Sequence, residues 1–205
     1  GVKPADVPWD TLDGYLLDVI CGGDTAAHDY LLRLLAYKAQ NPTRSPEVAV
    51  VLQSDESGTG KSTFGRLVMR LYGDAGKVVH SAEDVFGKFG DALIGAQALI
   101  LEEALFVGNK QYTDRFKALV TEPKIMVRPI WRAPVMIPNM AMFVVAAGHG
   151  RAIEAMLDDR RHLMLGVSDC RKGDHAYWQA VHAAINGEEL QGFLQSLLDA
   201  DLKGW

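Results

Sequence analysis

The segment from Val48 to Leu71 constrains the fold of this chain more than any other. Its apolar run Val48–Leu52 predicts a buried strand, and Phe64–Leu71 has the spacing of a helix. The residues between them include Ser57, Gly58, Thr59, Gly60, Lys61, Ser62 and Thr63. A strand, a glycine-rich turn and a helix N-terminus in this order predict a loop whose backbone N–H groups converge on a phosphate. The alternative is a glycine-rich turn that carries a surface lysine.

The residue types of this loop suit nucleotide phosphates. Gly58 and Gly60 let the backbone approach a ligand closely, because they carry no Cβ. Lys61 is placed to reach the outer phosphates, and the Ser62 hydroxyl to bind Mg²⁺. The full pattern G-x-x-x-x-G-K-[ST] has its first glycine at position 55, where this chain has Asp55. A carboxylate therefore lies next to the predicted phosphate site.

Composition limits the classes of protein that fit. The 205 residues, 48% of them hydrophobic, suffice for one well-buried domain with a small appendage. A net charge of −5 gives no support to nucleic-acid binding, which must then depend on a local patch. Only Cys21 and Cys170 are present, without metal-ligand spacing, which favours a reducing cytoplasm. No apolar stretch reaches membrane-spanning length, and the abrupt ends suggest a domain excised from a longer protein.

Strand and helix patterns alternate through the middle of the chain. The predicted strands are Val48–Gln53, Lys77–His80, Ala98–Leu101, Ile125–Arg128, Val135–Ile137, Met142–Ala147 and His162–Val167. The predicted helices in this part are Lys61–Tyr72, Gln111–Val120 and Ile153–Leu157. This alternation predicts an α/β fold with a parallel, doubly wound sheet.

Both ends of the chain have helical patterns. Residues Trp9–Gln40 predict helices, with Asp24 or Thr25 as the cap of the second one. The tail from Asp174 to Leu202 predicts two helices broken near Asn186-Gly187. We therefore expect a helical N-terminal segment at 1–45, a P-loop ATPase core at 46–170 and a helical C-terminal segment at 171–205.

Polar residues follow two further predicted strands. Glu102 and Glu103 end the strand at Ala98–Leu101, and His149 follows the strand at Met142–Ala147. Carboxyl ends of parallel strands meet at one edge of a sheet, so the phosphate loop and these residues are expected to share a site. Glu102 would hold Mg²⁺ and Glu103 would orient or deprotonate the attacking water. His149 is a candidate sensor of the γ-phosphate, or else an ordinary structural histidine.

Two basic segments lie outside this predicted site. Arg160 and Arg161 are candidates for an arginine finger acting on a neighbouring subunit's nucleotide, or else pair with the preceding aspartates. A proline-rich hairpin carries four residues suited to phosphate contact and base stacking, namely Lys124, Arg128, Trp131 and Arg132. The alternative for the hairpin is that Trp131 packs into the core.

These motifs, in this order, resemble the superfamily 3 helicase domain of phage, plasmid and poxvirus-type primase–helicases. The resemblance is carried by Val51–Phe64, Leu99–Ala104, Phe116–Lys124 and Asp158–Arg161, and extends over nearly the whole chain. It implies an AAA+-like P-loop ATPase with a β-hairpin insertion. Such domains form rings, usually hexamers, hydrolyse ATP between subunits and move on single-stranded DNA.

Residue roles follow from the same resemblance. It implies that residues 57–63 bind ATP, that Ser62 and Glu102 bind Mg²⁺, and that Arg160 or Arg161 is the arginine finger. The four hairpin residues would contact single-stranded DNA or a forked duplex in the pore. A primase or polymerase domain is expected elsewhere in the full-length protein. Two positions depart from the family pattern, Asp55 in the loop and His149 where an asparagine is usual.

Two other functions remain open at this point. A P-loop kinase would transfer the γ-phosphate to a small substrate, although no arginine-rich lid is evident in the sequence. A degenerate ATP-binding module would assemble partners without turnover, which the two departures favour. Oligomeric state and DNA-stimulated ATPase activity distinguish the three.

Overall fold

In a computed structural model of the chain, the residues described are 1–86, 90–102, 110–129, 131–148 and 160–205. Within these ranges a five-stranded parallel sheet has the order β2-β3-β6-β1-β7, and a separate antiparallel pair is formed by β4 and β5. The strands are β1 Ala49–Gln53, β2 Gly76–Val79, β3 Ala98–Glu102, β4 Lys124–Val127, β5 Val135–Pro138, β6 Met142–Ala147 and β7 His162–Gly166. The predicted α/β class is confirmed, and each predicted strand is present within one or two residues of its expected bounds.

Helices cover both faces of the sheet. They are α1 Asp10–Gly14, α2 Thr25–Gln40, α3 Lys61–Tyr72, α4 Ala82–Phe86, α5 Lys110–Thr121, α6 His175–Asn186 and α7 Glu189–Asp199. A π-helical turn, Tyr15–Ile20, continues α1, and short 3₁₀ turns occupy Gly73–Ala75 and Asp91–Leu93. The sequence did not predict α4, and the helix expected at Ile153–Leu157 lies outside the described residues.

The predicted cap of α2 is confirmed. Asp24 precedes the helix, and its side chain accepts hydrogen bonds from the backbone N–H of Ala26 at 2.9 Å and of Ala27 at 3.0 Å. These donors belong to the first turn, where no intrahelical acceptor is available. The cap therefore separates α2 from the π-helical turn before it.

Alternate residues of strand β1 face two hydrophobic cores. Val50 and Leu52 of β1 pack with α3 and with the terminal helices. Ala49 and Val51 pack on the opposite face, with α4, α5 and the inner side of β4. A parallel strand with both faces covered must be apolar throughout, which explains the continuous run Val48–Leu52.

The first and last helices form one layer on the sheet. The Glu189 carboxylate, at the start of α7, accepts hydrogen bonds from the backbone N–H of Thr11 at 3.0 Å and of Leu12 at 3.3 Å. At the other end of the layer, Gln40 Nε2 donates to the carbonyls of Leu197 at 2.9 Å and Ala200 at 3.0 Å. From the sequence, residues 1–45 and 171–205 were predicted as two separate helical segments. This division into segments stays a prediction.

Candidate nucleotide-binding site

The phosphate loop lies at the carboxyl end of β1, an interior strand between β6 and β7. The chain passes from β1 to the sheet edge at β2, returns through β3 and β6, and then adds β7 on the other side of β1. In such sheets, ligands bind beyond the carboxyl ends of the strands at the point where the order reverses. The loop therefore occupies the place in the fold where a ligand is expected.

Two glycines of this loop have backbone conformations that other residues rarely adopt. Gly58 has φ of 77°, and Gly60, which immediately precedes α3, has φ of 104°. Helix α3 begins at Lys61, so the backbone N–H groups of its first turn point back towards the loop that precedes the helix. This is the local arrangement that attracts an anion.

Gly60 is held from three sides. Its carbonyl accepts hydrogen bonds from the Tyr15 hydroxyl at 2.9 Å and from the N–H groups of Thr63 and Phe64. A Cβ at Gly60 would lie 2.5 Å from Cη2 of Trp178 and 3.4 Å from Cε2 of Tyr15. Glycine is thus required here both by the positive φ and by two aromatic rings.

The Lys61 ammonium lies over the loop. Its Nζ donates to the backbone carbonyls of Glu56 at 3.1 Å and Ser54 at 3.4 Å, and to the Thr59 hydroxyl at 3.5 Å. Ser54 and Thr59 are buried, and the Ser54 hydroxyl donates to the Glu56 carbonyl at 3.0 Å. These contacts place the Lys61 charge beside the loop rather than out in solvent.

A cavity of about 360 Å³ opens on the loop. The residues that line it are Ser57, Gly58, Thr59, Gly60, Lys61, Ser62, Thr63, Trp178 and His182. All seven residues predicted to bind nucleotide phosphates are therefore brought to one cavity, whose size is that of a small-molecule site.

Asp55, the departure from the phosphate-loop pattern, lies between Ser54 and Glu56, whose backbone carbonyls accept from Lys61 Nζ. It is exposed and lines a separate depression between the ends of β1 and β7, together with Glu56, Ser168 and Asp169. The Glu56 carboxylate in that region pairs with the Lys172 ammonium at 2.5 Å, which lowers the pKa of Glu56. Neither carboxylate is among the described residues that line the cavity over the loop.

The acidic residue Glu102 lies at the same end of the sheet as the phosphate loop, where the carboxyl ends of the strands meet. Glu102 is the last residue of β3 and is in register with Ala146 of β6, while Gln53 of β1 is in register with Ala147. Two strand spacings separate β3 from β1, so the Glu102 backbone lies about 10 Å across the sheet from the start of the loop. Glu103 and His149 lie outside the described residues. In the part of the chain that is described, no cluster of three or more metal-binding side chains occurs.

Arg160 and Arg161 lie at the amino ends of the strands, at the end of the sheet opposite the phosphate loop. They precede β7, whose first residue is in register with Ala49 at the start of β1, and the Ala49 N–H donates to the Arg161 carbonyl. The Arg161 guanidinium donates to the Lys117 carbonyl of α5 at 2.9 Å, whereas Arg160 is exposed. The structure does not bring these arginines to the phosphate loop of their own chain.

The predicted hairpin is present, and its polar residues are exposed. β4 and β5 pair from Lys124 opposite Pro138 to Val127 opposite Val135. Trp131, beyond the strand ends, is 98% exposed and has φ of 63°, a conformation uncommon for a residue other than glycine. The alternative in which Trp131 packs into the core is therefore wrong. Lys124, Arg128 and Arg132 are also exposed.

Three residues of the site were not predicted as functional. Tyr15, Trp178 and His182 reach the loop from helices that are far away in sequence, and no local motif marks them. In the sequence they stand only as residues of the two helical segments predicted at Trp9–Gln40 and Asp174–Leu202. Burial raises the pKa of Tyr15 well above its usual value, so its hydroxyl stays a donor to Gly60.

The parallel sheet, with this loop after its interior strand β1, defines an α/β fold with a P-loop NTPase-like core. The chain belongs to a family of unknown function (DUF5906), whose model matches residues 52–161. That range begins in β1, includes the phosphate loop and ends at Arg161.

The fold is shared with solved structures of the C-terminal region of NrS-1. The apo structure of its residues 305–718 has a TM-score of 0.80 and 17% sequence identity, over 98% of this chain and 48% of that one. An A-form apo structure of the same region gives a TM-score of 0.78 at 18% identity, with the same coverage. This chain thus spans about half the length of these solved structures. No curated protein sequence matches it significantly.

Proposed function

We propose that this chain is the ATP-hydrolysing motor domain of a replication helicase that moves on single-stranded DNA. The observation that carries the proposal is the Gly58–Thr63 loop at the carboxyl end of β1, with the Lys61 ammonium beside a cavity of about 360 Å³. Its support is the fold shared with NrS-1 together with the resemblance of the motifs to superfamily 3 helicases.

The loop residues fit ATP with Mg²⁺. Backbone N–H groups at the start of α3 would bind the phosphates, and Lys61 would exchange its carbonyl partners for phosphate oxygens. Ser62 is exposed at the cavity and supplies the hydroxyl that a phosphate-bound Mg²⁺ uses as a ligand. Glu102, at the same sheet edge, would hold the ion through water, and the ion would neutralise charge on the phosphates.

Hydrolysis would need residues from two copies of the chain. Glu103 would orient the attacking water, with His149 as the sensor of the γ-phosphate. Arg160 is exposed at the amino ends of the strands, opposite the loop. It would therefore contact the nucleotide bound to a neighbouring copy in a ring. Arg161 is tied to α5 and would position that segment.

The hairpin would contact DNA. Its exposed Trp131 offers a face for base stacking, and Lys124, Arg128 and Arg132 offer charge for the phosphate backbone. The chain has a net charge of −5, so a local patch of this kind is required for binding.

The deciding experiment measures ATPase turnover with and without single-stranded DNA, and molecular mass in the same buffer. We expect DNA-stimulated turnover from a multimer, usually a hexamer in this class. Turnover from a monomer that ignores DNA but accepts a small phosphate acceptor would favour a P-loop kinase. ATP binding with no turnover under any condition would favour an assembly module.

Three variants assign the steps. Lys61→Ala should abolish turnover, and unchanged turnover would contradict the phosphate-loop assignment. Glu103→Gln should keep ATP binding and lose hydrolysis, whereas loss of both would argue against its role with the attacking water. Replacing both Trp131 and Arg132 with alanine should weaken DNA affinity while turnover without DNA survives.

A further inference from the structure

One wall of the cavity over the loop comes from helix α6. Trp178 and His182 lie four residues apart on this helix, so they share one face, and both line the cavity. The phosphate loop adjoins this wall, since a Cβ at Gly60 would lie 2.5 Å from Cη2 of Trp178. A ligand held at Gly60–Thr63 therefore has an aromatic ring and an imidazole beside it.

The Trp178 ring is held in one orientation. Its Nε1 donates to the Arg171 carbonyl at 2.9 Å. The ring of Tyr15 packs edge-on against it at 6.0 Å between centroids, and that of Tyr177 at 5.3 Å. Trp178 is nevertheless only half-buried, and part of its surface faces the cavity. Binding a flat group against a ring already fixed costs little side-chain entropy.

The charges around the cavity suit a ligand with an anionic end and a flat neutral end. Among the described residues that line it, Lys61 is positively charged and there is no carboxylate. The rest of the lining is the polar loop and the two rings of α6. A phosphate chain accounts for the loop and Lys61, whereas the Trp178 ring offers no hydrogen bond to a phosphate because its Nε1 already donates to Arg171.

We propose that α6 forms the base-binding wall of the nucleotide site, with Trp178 stacked on the nucleobase and His182 in contact with the same nucleoside. The ligand class is a purine nucleoside di- or triphosphate, because a purine offers the larger stacking face. This inference rests on the proposed phosphate-binding function of the loop. It assigns discrimination between a nucleotide and a bare polyphosphate to two residues outside the loop.

The test compares ligands with and without a base on the full 205-residue chain. Calorimetric titrations with Mg²⁺-ADP and with Mg²⁺-tripolyphosphate are made on the wild type and on Trp178→Ala. Stacking on an aromatic ring accounts for about a tenfold change in affinity. We expect Trp178→Ala to weaken ADP binding about tenfold or more and to change tripolyphosphate binding less than twofold. His182→Ala should show the same selectivity with a smaller loss, and His175→Ala, an exposed histidine on the same helix, should change neither affinity.

The outcomes separate this inference from the function on which it rests. If Trp178→Ala weakens both ligands equally, the ring supports Gly60 and does not bind the base. If the substitution weakens the binding of neither ligand, the Trp178 ring makes no contact with the base. In both cases the phosphate loop still binds tripolyphosphate in the wild type. If the wild type binds neither ligand, both the proposed function and the base-binding wall are overturned.

A measurement on the wild type covers the case in which Trp178→Ala does not fold. Stacking of a base should quench the emission of Trp178, so Mg²⁺-ADP should lower tryptophan fluorescence and Mg²⁺-tripolyphosphate should not. The milder variant Trp178→Phe should remove the ADP-dependent change while retaining most of the affinity. A quench that persists in Trp178→Phe would contradict the proposal.

Discussion

Lys38 is a charged residue in the interior of the helical layer. Its side chain, near the end of α2, has no exposed surface. The Nζ donates to the backbone carbonyls of Pro42 at 2.5 Å and Arg44 at 3.3 Å, and lies 5.9 Å from the centre of the Tyr72 ring. One side chain thus ties the turn after α2 to the end of α3. Burial lowers the pKa of Lys38 to about 8.

This pKa predicts how stability depends on pH. The unfolded chain keeps the ordinary lysine pKa near 10.5, so between pH 8 and pH 10.5 it binds more protons than the folded chain. The contribution of Lys38 to stability therefore rises with pH in that window, by about 1 to 2 kcal/mol between pH 8 and pH 9.5. Cys21 opposes this rise, because burial raises its pKa from 9.0 to about 12. Urea unfolding at a series of pH values of the wild type and of Lys38→Met isolates the Lys38 contribution, which the substitution should remove.

The pH range of this measurement has an upper limit. Burial raises the pKa values of Tyr15, Tyr72 and Tyr177, so these tyrosines stabilise the fold below pH 10 and lose that contribution above it. Measurements should therefore stop near pH 9.5. Equal slopes for the wild type and Lys38→Met would show that Lys38 keeps its ordinary pKa.

Asn139 also acts at the scale of a single residue, but it determines the position of a whole element. Its buried side-chain amide donates to the carbonyls of Leu119 at 2.7 Å and Glu122 at 2.9 Å, and its carbonyl accepts from the Ala141 N–H at 3.2 Å. Its backbone N–H donates to Pro123 at 3.0 Å. The residue that follows β5 thus fastens the base of the hairpin to the end of α5.

We expect Asn139→Ala to destabilise the chain by about 2 to 3 kcal/mol, because two part-buried carbonyls and one buried N–H lose their partners. If the hairpin binds DNA, affinity for single-stranded DNA should fall as well, measured below the unfolding temperature of the variant. Trp131→Ala is the matched control, because its exposed side chain should affect DNA affinity and leave stability within about 0.5 kcal/mol. Equal stability of Asn139→Ala and the wild type would mean that the Asn139 side-chain hydrogen bonds are not needed to hold the base of the hairpin.

The elements that the sequence predicted best depend on local patterns. Continuous apolar runs identified β1, β3 and β6, and the aspartate before an amphipathic stretch identified the start of α2. Asn139 and Lys38 carried no such signal, because their roles depend on backbone carbonyls supplied by other elements. The short helix α4 was also missed, since tertiary packing rather than propensity stabilises it. Tyr15–Ile20 lies inside the predicted helical stretch Trp9–Gln40, but its π-helical form was not predicted.

The candidate site divides in the same way. The Gly58–Thr63 loop was predictable, because its residues are consecutive and each has a known role in binding phosphate. Trp178 and His182 were not, because the fold brings α6 to the loop from more than 100 residues away. The strand register places Arg160 at the amino ends of the strands, opposite the loop.

At the scale of the whole molecule, the site depends on contact between the two ends of the chain. Tyr15 comes from the N-terminal helices and Trp178 from the C-terminal ones, and the two rings meet over Gly60. The same layer is closed at α7, where the backbone of Val7 passes directly over Gly192. A Cβ at Gly192 would overlap the Val7 carbonyl oxygen.

Gly192→Ala therefore tests whether the terminal layer and the nucleotide site are coupled. Backbone atoms of Val7 cannot yield as a flexible side chain would, so we expect a loss of about 2 kcal/mol or more in unfolding free energy. Gly14→Ala is the matched control: Gly14 is also helical, with φ of −59°, and has open space at its Cβ position. That substitution should leave stability unchanged or raise it by up to about 1 kcal/mol. Because Tyr15 and Trp178 belong to the displaced layer, Gly192→Ala should also weaken Mg²⁺-ADP binding while Gly14→Ala does not. A destabilised Gly192→Ala chain with wild-type ADP affinity in its folded fraction would show that the layer stabilises the fold without shaping the site.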